Sequence, residues 1–536
     1  MGADERRTKG PLLAVVGLIA KLAICLAICL ASSLLSCRGR SEADFPAKGA
    51  SLTEADPVVL TADAVARIEA FCGDCHAVPL PDSFPRYAWH KEIILGYAMY
   101  AKSRRQDLIP PTIEETYAYY RQRAPEQLTF PAPANAAHPL TAKFEVEHLS
   151  MDETDGVLPA VSNLSWLPLD AASPPELIVA DMRRGTVIAV KPGSPQAPRV
   201  LANLNHPCHV EACDLDRDGM TDLIVADLGS MAAIDHQRGR VVWLRRRKDQ
   251  PSYEPVVIAS DLGRVADVRS GDFDKDGDLD LLVAVFGLDR TGDTRMLWNV
   301  AEQGEAPRFK PEVIDPRPGA IHVPPFDFDN DGFLDFASLI SQECEQVAVF
   351  MNQLGAPQRT APFHMQSLWE GPDLTFGLSG IQLVDLDADQ DMDLLYTNGD
   401  AFDNSFVNPR HGVQWLENRG QLAFEYHRLT DLVGACASAV ADVDKDGDLD
   451  VLATSWLPAK VEPANVYDQR LASIICLEQT APGTYVRHEL EHDSTIHATM
   501  SAADFDADGD VDFAVGYHGT EPSPAGTRWI DIWWNR

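Results

Sequence analysis

The sequence predicts a mainly β protein, a closed ring of repeats, preceded by a small all-α domain. Three observations carry this expectation. An acidic nine-residue pattern, Asp-x-Asp-x-Asp-Gly-x-x-Asp, recurs with first-aspartate spacings of 58, 55, 58, 57 and 62 residues. Each copy follows an apolar run and precedes an aliphatic one, and two further strand-like runs complete a unit of about 57 residues. Ahead of the repeats, residues 61–128 space their apolar residues as helices do.

The clearest repeat is DVDKDGDLDVLA, with Asp442, Asp444, Asp446, Gly447 and Asp450. The same positions hold Asp214, Asp216, Asp218 and Asp222; Asp272, Asp274, Asp276 and Asp280; and Asp327, Asp329, Asp331 and Asp335. The last copy holds Asp504, Asp506, Asp508 and Asp512. DLDADQDMDLLY supplies Asp385, Asp387, Asp389 and Asp393, but Gln390 stands where the glycine belongs. A degenerate seventh unit, WLPLDAASPPELIVAD from Trp166, keeps Asp170 and is read as having lost the other carboxylates of the loop. Runs such as GVQWLEN (412–418) and FEYHRL (424–429) serve as third and fourth strands. Four short strands per unit make a propeller blade. The chain ends on TRWIDIWW, the third strand of its last unit, and FEVEHL (144–149) supplies the missing fourth. Such pairing closes the ring and removes its edges. The expectation for residues 144–536 is a seven-bladed β-propeller.

Carboxylates at positions 1, 3, 5 and 9, with glycine at the sharp turn, make a hard oxygen cage suited to Ca²⁺. An EF-hand would need Glu at position 12, where this chain has Val225, Val283, Ser338, Tyr396, Ala453 and Val515. The loops resemble the FG-GAP (VCBS) repeats of integrin α-subunit propellers. That resemblance implies up to six structural calcium ions, each bracing the hairpin between a blade's first two strands.

In the α domain, TADAVARIEAFCGDCH reads as a first helix, SFPRYAWHKEIILGYAMYAKS as a second, and TIEETYAYYRQR as a third with a capping box from Thr112 to Glu115. The first ends in Cys72-x-x-Cys75-His76. With 10 Cys and 15 His in 536 residues, chance explains this motif poorly. Zinc would need a second Cys/His pair nearby, and a thioredoxin-like pair would need a preceding strand. Two thiols three apart reach both vinyl groups of one porphyrin, and the adjacent histidine binds its iron. Residues 61–128 resemble a small c-type cytochrome, which implies covalent haem c on Cys72 and Cys75 with His76 as axial ligand. Met99 is the candidate for the second axial bond and His90 its competitor; an open site is the third alternative.

Residues 1–37 read as an export signal, with Arg6, Arg7 and Lys9 before an apolar stretch. The run ending in Cys37 resembles a bacterial lipobox, which implies lipidation there. An uncleaved membrane helix and a plain secreted chain are the alternatives. All three place the body outside the cytoplasm, in the periplasm or at the cell surface, and the first two anchor it to a membrane. Residues 38–60 and 129–143 read as linkers. A net charge of −36 argues against nucleic acid and for cations or basic proteins as partners. Cys208, Cys213, Cys344, Cys436 and Cys476 are scattered and odd in number, so buried thiols are expected rather than a disulfide framework.

No nucleophile elbow, phosphate loop or nucleotide fingerprint is visible. Two stretches are more particular than a generic blade: SLISQECEQ, with Gln342, Glu343 and Glu345, and the loop TNGDAFDNSFVNPRHGVQW, with Asp400, Asp403, Asn404, Arg410 and His411. His209 and His322 each sit five residues before their loop's first aspartate, placed to face the channel. Two functions stay open. In one, the chain transfers single electrons to a redox partner while the ring binds a protein, carbohydrate or small molecule. In the other, the ring is a haem-coupled dehydrogenase, a lyase or another polysaccharide-active enzyme.

Overall fold

The computed structural model describes residues 59–536, except 75, 151–155, 171–172, 249–251, 289, 303, 343, 358, 373, 403–404 and 521–527. The export segment with Cys37, most of the first linker, and Cys75, Glu343, Asp403 and Asn404 lie outside the described residues. Among those described, no helix is long and apolar enough to cross a membrane.

Residues 144–535 form seven antiparallel sheets. Blade 1 begins at Val161, blade 2 at Pro207, blade 3 at Val265, blade 4 at Ala320, blade 5 at Leu378, blade 6 at Ala435 and blade 7 at His497. First strands of successive blades touch around the ring, and that of blade 7 touches that of blade 1. Phe144–Ser150 pairs antiparallel with Arg528–Asn535, Phe144 opposite Asn535, and so completes blade 7 from the other end of the chain. The mainly β, seven-bladed architecture is thus the observed one.

Burial explains the sequence pattern strand by strand. Second strands such as Asp222–Asp227 (DLIVAD) and Asp280–Val285 (DLLVAV) are buried at every residue, because both faces pack against neighbouring blades. Outer strands such as Phe424–Asp431 are mostly exposed or half-buried, with one face to solvent. The core lies between blades: Ile224, Val241 and Trp243 of blade 2 pack on Val265, Val268 and Val283 of blade 3. In blade 4 the first strand is split into Ala320–His322 and Pro325–Phe326, since Pro324 and Pro325 have no N–H for the ladder.

Among the described residues, three α-helices precede the ring: α1 (Ala62–Cys72), α2 (Trp89–Ser103) and α3 (Ile113–Arg123). Thr61 caps α1 by accepting from the Ala64 N–H, and Thr112 with Glu115 forms the capping box of α3. Ile68, Trp89, Ile93 and Tyr120 fill the helical core, with Trp89 stacked on Tyr120 at 3.9 Å between ring centroids.

The helical domain is docked on the ring. Phe406, from the long loop of blade 5, enters the helical core and meets Phe84 edge-on at 5.0 Å. Around it Arg410 donates to Asp82 (2.8 Å), Tyr87 to Glu462 (3.1 Å) and Asn465 to the Leu128 carbonyl (2.9 Å).

Candidate functional site

The six acidic loops share one geometry. The position-1 carboxylate accepts from the N–H at position 6 in every copy, from Asp214 with Gly219 to Asp504 with Gly509. Position 4 lies in the left-handed region each time, at φ between 56° and 65°. Position 6 does too, at φ 81°, 92°, 86°, 101° and 92° in the five glycines and 79° at Gln390. Gln390 donates its N–H to Asp385 at 3.0 Å, so this loop keeps the shared shape with a side chain in a glycine conformation.

The four carboxylates of a loop are not alike. Oxygens of Asp214, Asp216 and Asp218, of Asp272, Asp274 and Asp276, and of Asp327, Asp329 and Asp335 converge within 4.8 Å. Position 9 does something more. In blade 6 the Asp450 oxygens accept from Val443 N–H and Gln479 N–H, both at 2.9 Å. Asp222, Asp280, Asp335, Asp393 and Asp512 make the same pair of bonds, joining the loop to the end of the third strand. Burial pushes these carboxyls up, to about 6 for Asp222, Asp335, Asp393 and Asp512 and about 7 for Asp280 and Asp450; their backbone bonds oppose the shift and loop aspartates add to it. A cation in the loop would reverse it.

Basic side chains also reach some loops. Arg245 pairs with Asp216, Lys445 with Asp510, and Arg536 with Asp506 (2.6 Å) and Asp508 (3.2 Å). In degenerate blade 1, Glu176 opens the second strand where the other blades have position 9, and Arg199 donates to both its oxygens at 2.8 and 2.9 Å. Sequence reading missed this carboxylate because glutamate breaks the aspartate pattern; the shared ELIVAD/DLIVAD run was the available signal.

Cys72 ends α1 half-buried beside Tyr97 and Tyr120, and burial raises its thiol pKa against a lowering hydrogen bond from Tyr120. His76 Nδ1 lies 2.7 Å from the Ala77 carbonyl, which leaves Nε2 as the atom to offer a metal. Met99 lies outside the helical core, 42% exposed, on the same face of α2 as the exposed Leu95 one turn earlier. His90 meets the Tyr117 ring edge-on at 5.4 Å.

Among the described residues, the candidates for catalysis lie against framework partners. His209 Nδ1 (2.9 Å) and His322 Nδ1 (3.7 Å) both approach the fully buried Asp267, which also accepts from Arg269 (3.0 Å). Burial acts to raise the Asp267 carboxyl, but Arg269, His209 and His322 outweigh it and hold the group well below the usual carboxylate range. This network stitches the inner strands of blades 2, 3 and 4; Asp267 carried no motif that would have marked it. Gln342, in the amide orientation that satisfies it, bridges the Leu288 carbonyl and Arg264. Glu345 accepts from Leu378 N–H (2.9 Å), and Asp400 from Phe402 N–H (2.8 Å). His411 is buried and held neutral, its pKa lowered to about 3 by desolvation and by Arg428. With Arg410 on Asp82, the long blade 5 loop is the seat of the helical domain.

Fold and loops together define a seven-bladed β-propeller with an acidic loop in six of its blades. Residues 214–283 match the family described as FG-GAP-like repeat. No curated protein matches the chain by sequence. Similar solved structures include an ancestral GH74 enzyme, at TM-score 0.46 and 9% identity over 70% of this chain and 48% of that one. The chain therefore spans about half of that enzyme's length. A Lactobacillus plantarum protein (TM-score 0.37, 12% identity, 68% and 93% covered) and Saccharomyces cerevisiae Sqt1 (0.38, 10%, 67% and 81%) are also similar.

Proposed function

We propose that this chain is an exported, membrane-anchored one-electron carrier in which a haem c domain is fixed to a calcium-braced propeller. The observation that carries the reading is the Cys72-x-x-Cys75-His76 motif at the end of α1, with His76 Nδ1 tied to the Ala77 carbonyl. A ligating imidazole is commonly oriented in this way, one nitrogen bonded to the protein and the other turned to the metal. Haem, when bound, supplies the one-electron chemistry. Cys72 and Cys75 hold it, His76 presents Nε2, and the exposed Leu95 and Met99 give α2 an apolar face that a porphyrin would cover. Met99 and His90 are the two residues assigned as candidates for the far axial bond, and an open site is the alternative to both.

The acidic loops fit calcium by their donor chemistry. Their ligands are all oxygen, and buried Asp272 Oδ1 and Asp387 Oδ1 have no hydrogen-bond donor. Its role is structural, in up to six loops. The engagement of His209, His322, Glu345, Asp400, Arg410 and His411 in the framework favours the carrier reading over an enzyme built on the ring. The net charge of −36 points to a basic redox partner protein.

The test is expression in a host that matures c-type cytochromes, followed by denaturing electrophoresis with a haem stain. The proposal expects a stained chain that loses its stain in the Cys72→Ala/Cys75→Ala double variant; an unstained wild-type chain in that host overturns it.

A further inference from the structure

We propose that His138, Glu478 and His488 form a zinc site that latches the 129–143 linker to the outer edge of blade 6. The linker crosses this edge in contact with it: Ala136 N–H donates to the Arg487 carbonyl at 2.8 Å. Two residues on, the His138 ring lies 5.5 Å from that of His488. His488 is buried on the fourth strand of the blade, and its Nε2 is 2.5 Å from Oε2 of Glu478 on the third. His138 Nδ1 is 4.0 Å from the same oxygen. One ligand atom from each of the three residues lies within 4.8 Å of the others.

Two imidazoles and one carboxylate are the ligand types zinc takes with a water in the fourth position. Bonds of about 2.0–2.1 Å at tetrahedral angles set neighbouring ligand atoms about 3.3 Å apart. The observed 2.5 and 4.0 Å fall on either side of that spacing, so small side-chain rotations suffice. His138 is exposed, and its Nδ1 has only a long 3.4 Å contact to the Pro139 carbonyl to give up.

Blade 5 shows what a structural version of the same pair looks like. Glu417 and His427 occupy the corresponding strand positions at 2.7 Å, since Trp415 faces His427 as Cys476 faces His488. There Arg419 pairs with both Glu417 and Glu425, and its guanidinium takes the place of a cation. Among the described residues no lysine or arginine pairs with Glu478; the third partner is instead a second histidine, delivered by the linker.

The test uses the untagged full chain, saturated with Ca²⁺ so that the acidic loops do not compete. Zn²⁺ is titrated against a zinc-chelating dye, with elastase digestion of the alanine-rich linker followed in parallel. Wild type is expected to hold one more equivalent of Zn²⁺ than His138→Ala, and Zn²⁺ to slow linker cleavage about tenfold in wild type alone. Because His138 is exposed, its replacement leaves the fold intact. Equal zinc stoichiometry in the two proteins, or equal protection, overturns the proposal.

Discussion

Replacing Asp450 by Ala should destabilise the ring even when no calcium is present. Both of its oxygens accept buried backbone N–H groups, Val443 and Gln479 at 2.9 Å each, and the residue is fully buried. Each donor left without a partner costs about 1–3 kcal/mol, so Asp450→Ala should lose roughly 2–6 kcal/mol. Asp446→Ala is the contrast. Its exposed carboxylate caps the loop's own N–H of Asp448 and braces no buried strand, so in EDTA its loss should stay within about 0.5 kcal/mol. With calcium, Asp446→Ala should lose the added stability that the metal gives wild type. The assay is urea unfolding followed by tryptophan fluorescence at pH 8, above the Asp450 value of about 7, in EDTA and in calcium. Equal shifts for the two variants in EDTA would refute the division into brace and ligand.

Three other outcomes follow from single residues. Gln390→Gly should raise stability by about 1 kcal/mol, because φ 79° is costly for any side chain; a thermal melt checks it, and the five glycine loops serve as the standard. His411 is neutral in the fold with a pKa near 3 against an ordinary 6.5, so its contribution is complete above pH 6.5 and is lost as pH falls towards 3. About 2 kcal/mol should be gone by pH 5, and His411→Gln should flatten that dependence in urea midpoints compared at pH 7 and pH 5. Phe406→Ala should cost about 3–5 kcal/mol of contact with the helical domain and make residues 61–128 sensitive to limited proteolysis while the ring resists.

The ring was legible because every blade repeats one solution to the same burial problem. Aspartates at fixed spacing, runs buried on both faces such as DLLVAV, and a final unit one strand short led to seven blades. What the loops do was only half legible. Position 9 reads like the other carboxylates in sequence, yet its role as a backbone brace depends on a third strand some 17–29 residues further on. The long loop at 397–415 looked chemical because it is rich in polar residues. Its decisive residue is Phe406, whose partner Phe84 is distant in sequence and reaches it only through the fold. His209 and His322 were visible as an equivalent pair, but the buried Asp267 between them belongs to another blade and left no local pattern.

The central claim, a one-electron haem carrier fixed to this ring, is tested most directly by spectroelectrochemical titration of the full chain matured in a c-type cytochrome host. The account predicts haem bands that convert reversibly along a single one-electron Nernst curve and vanish in His76→Ala and in the Cys72→Ala/Cys75→Ala double variant. A purified wild-type chain without haem bands, or bands unchanged by those substitutions, would contradict it.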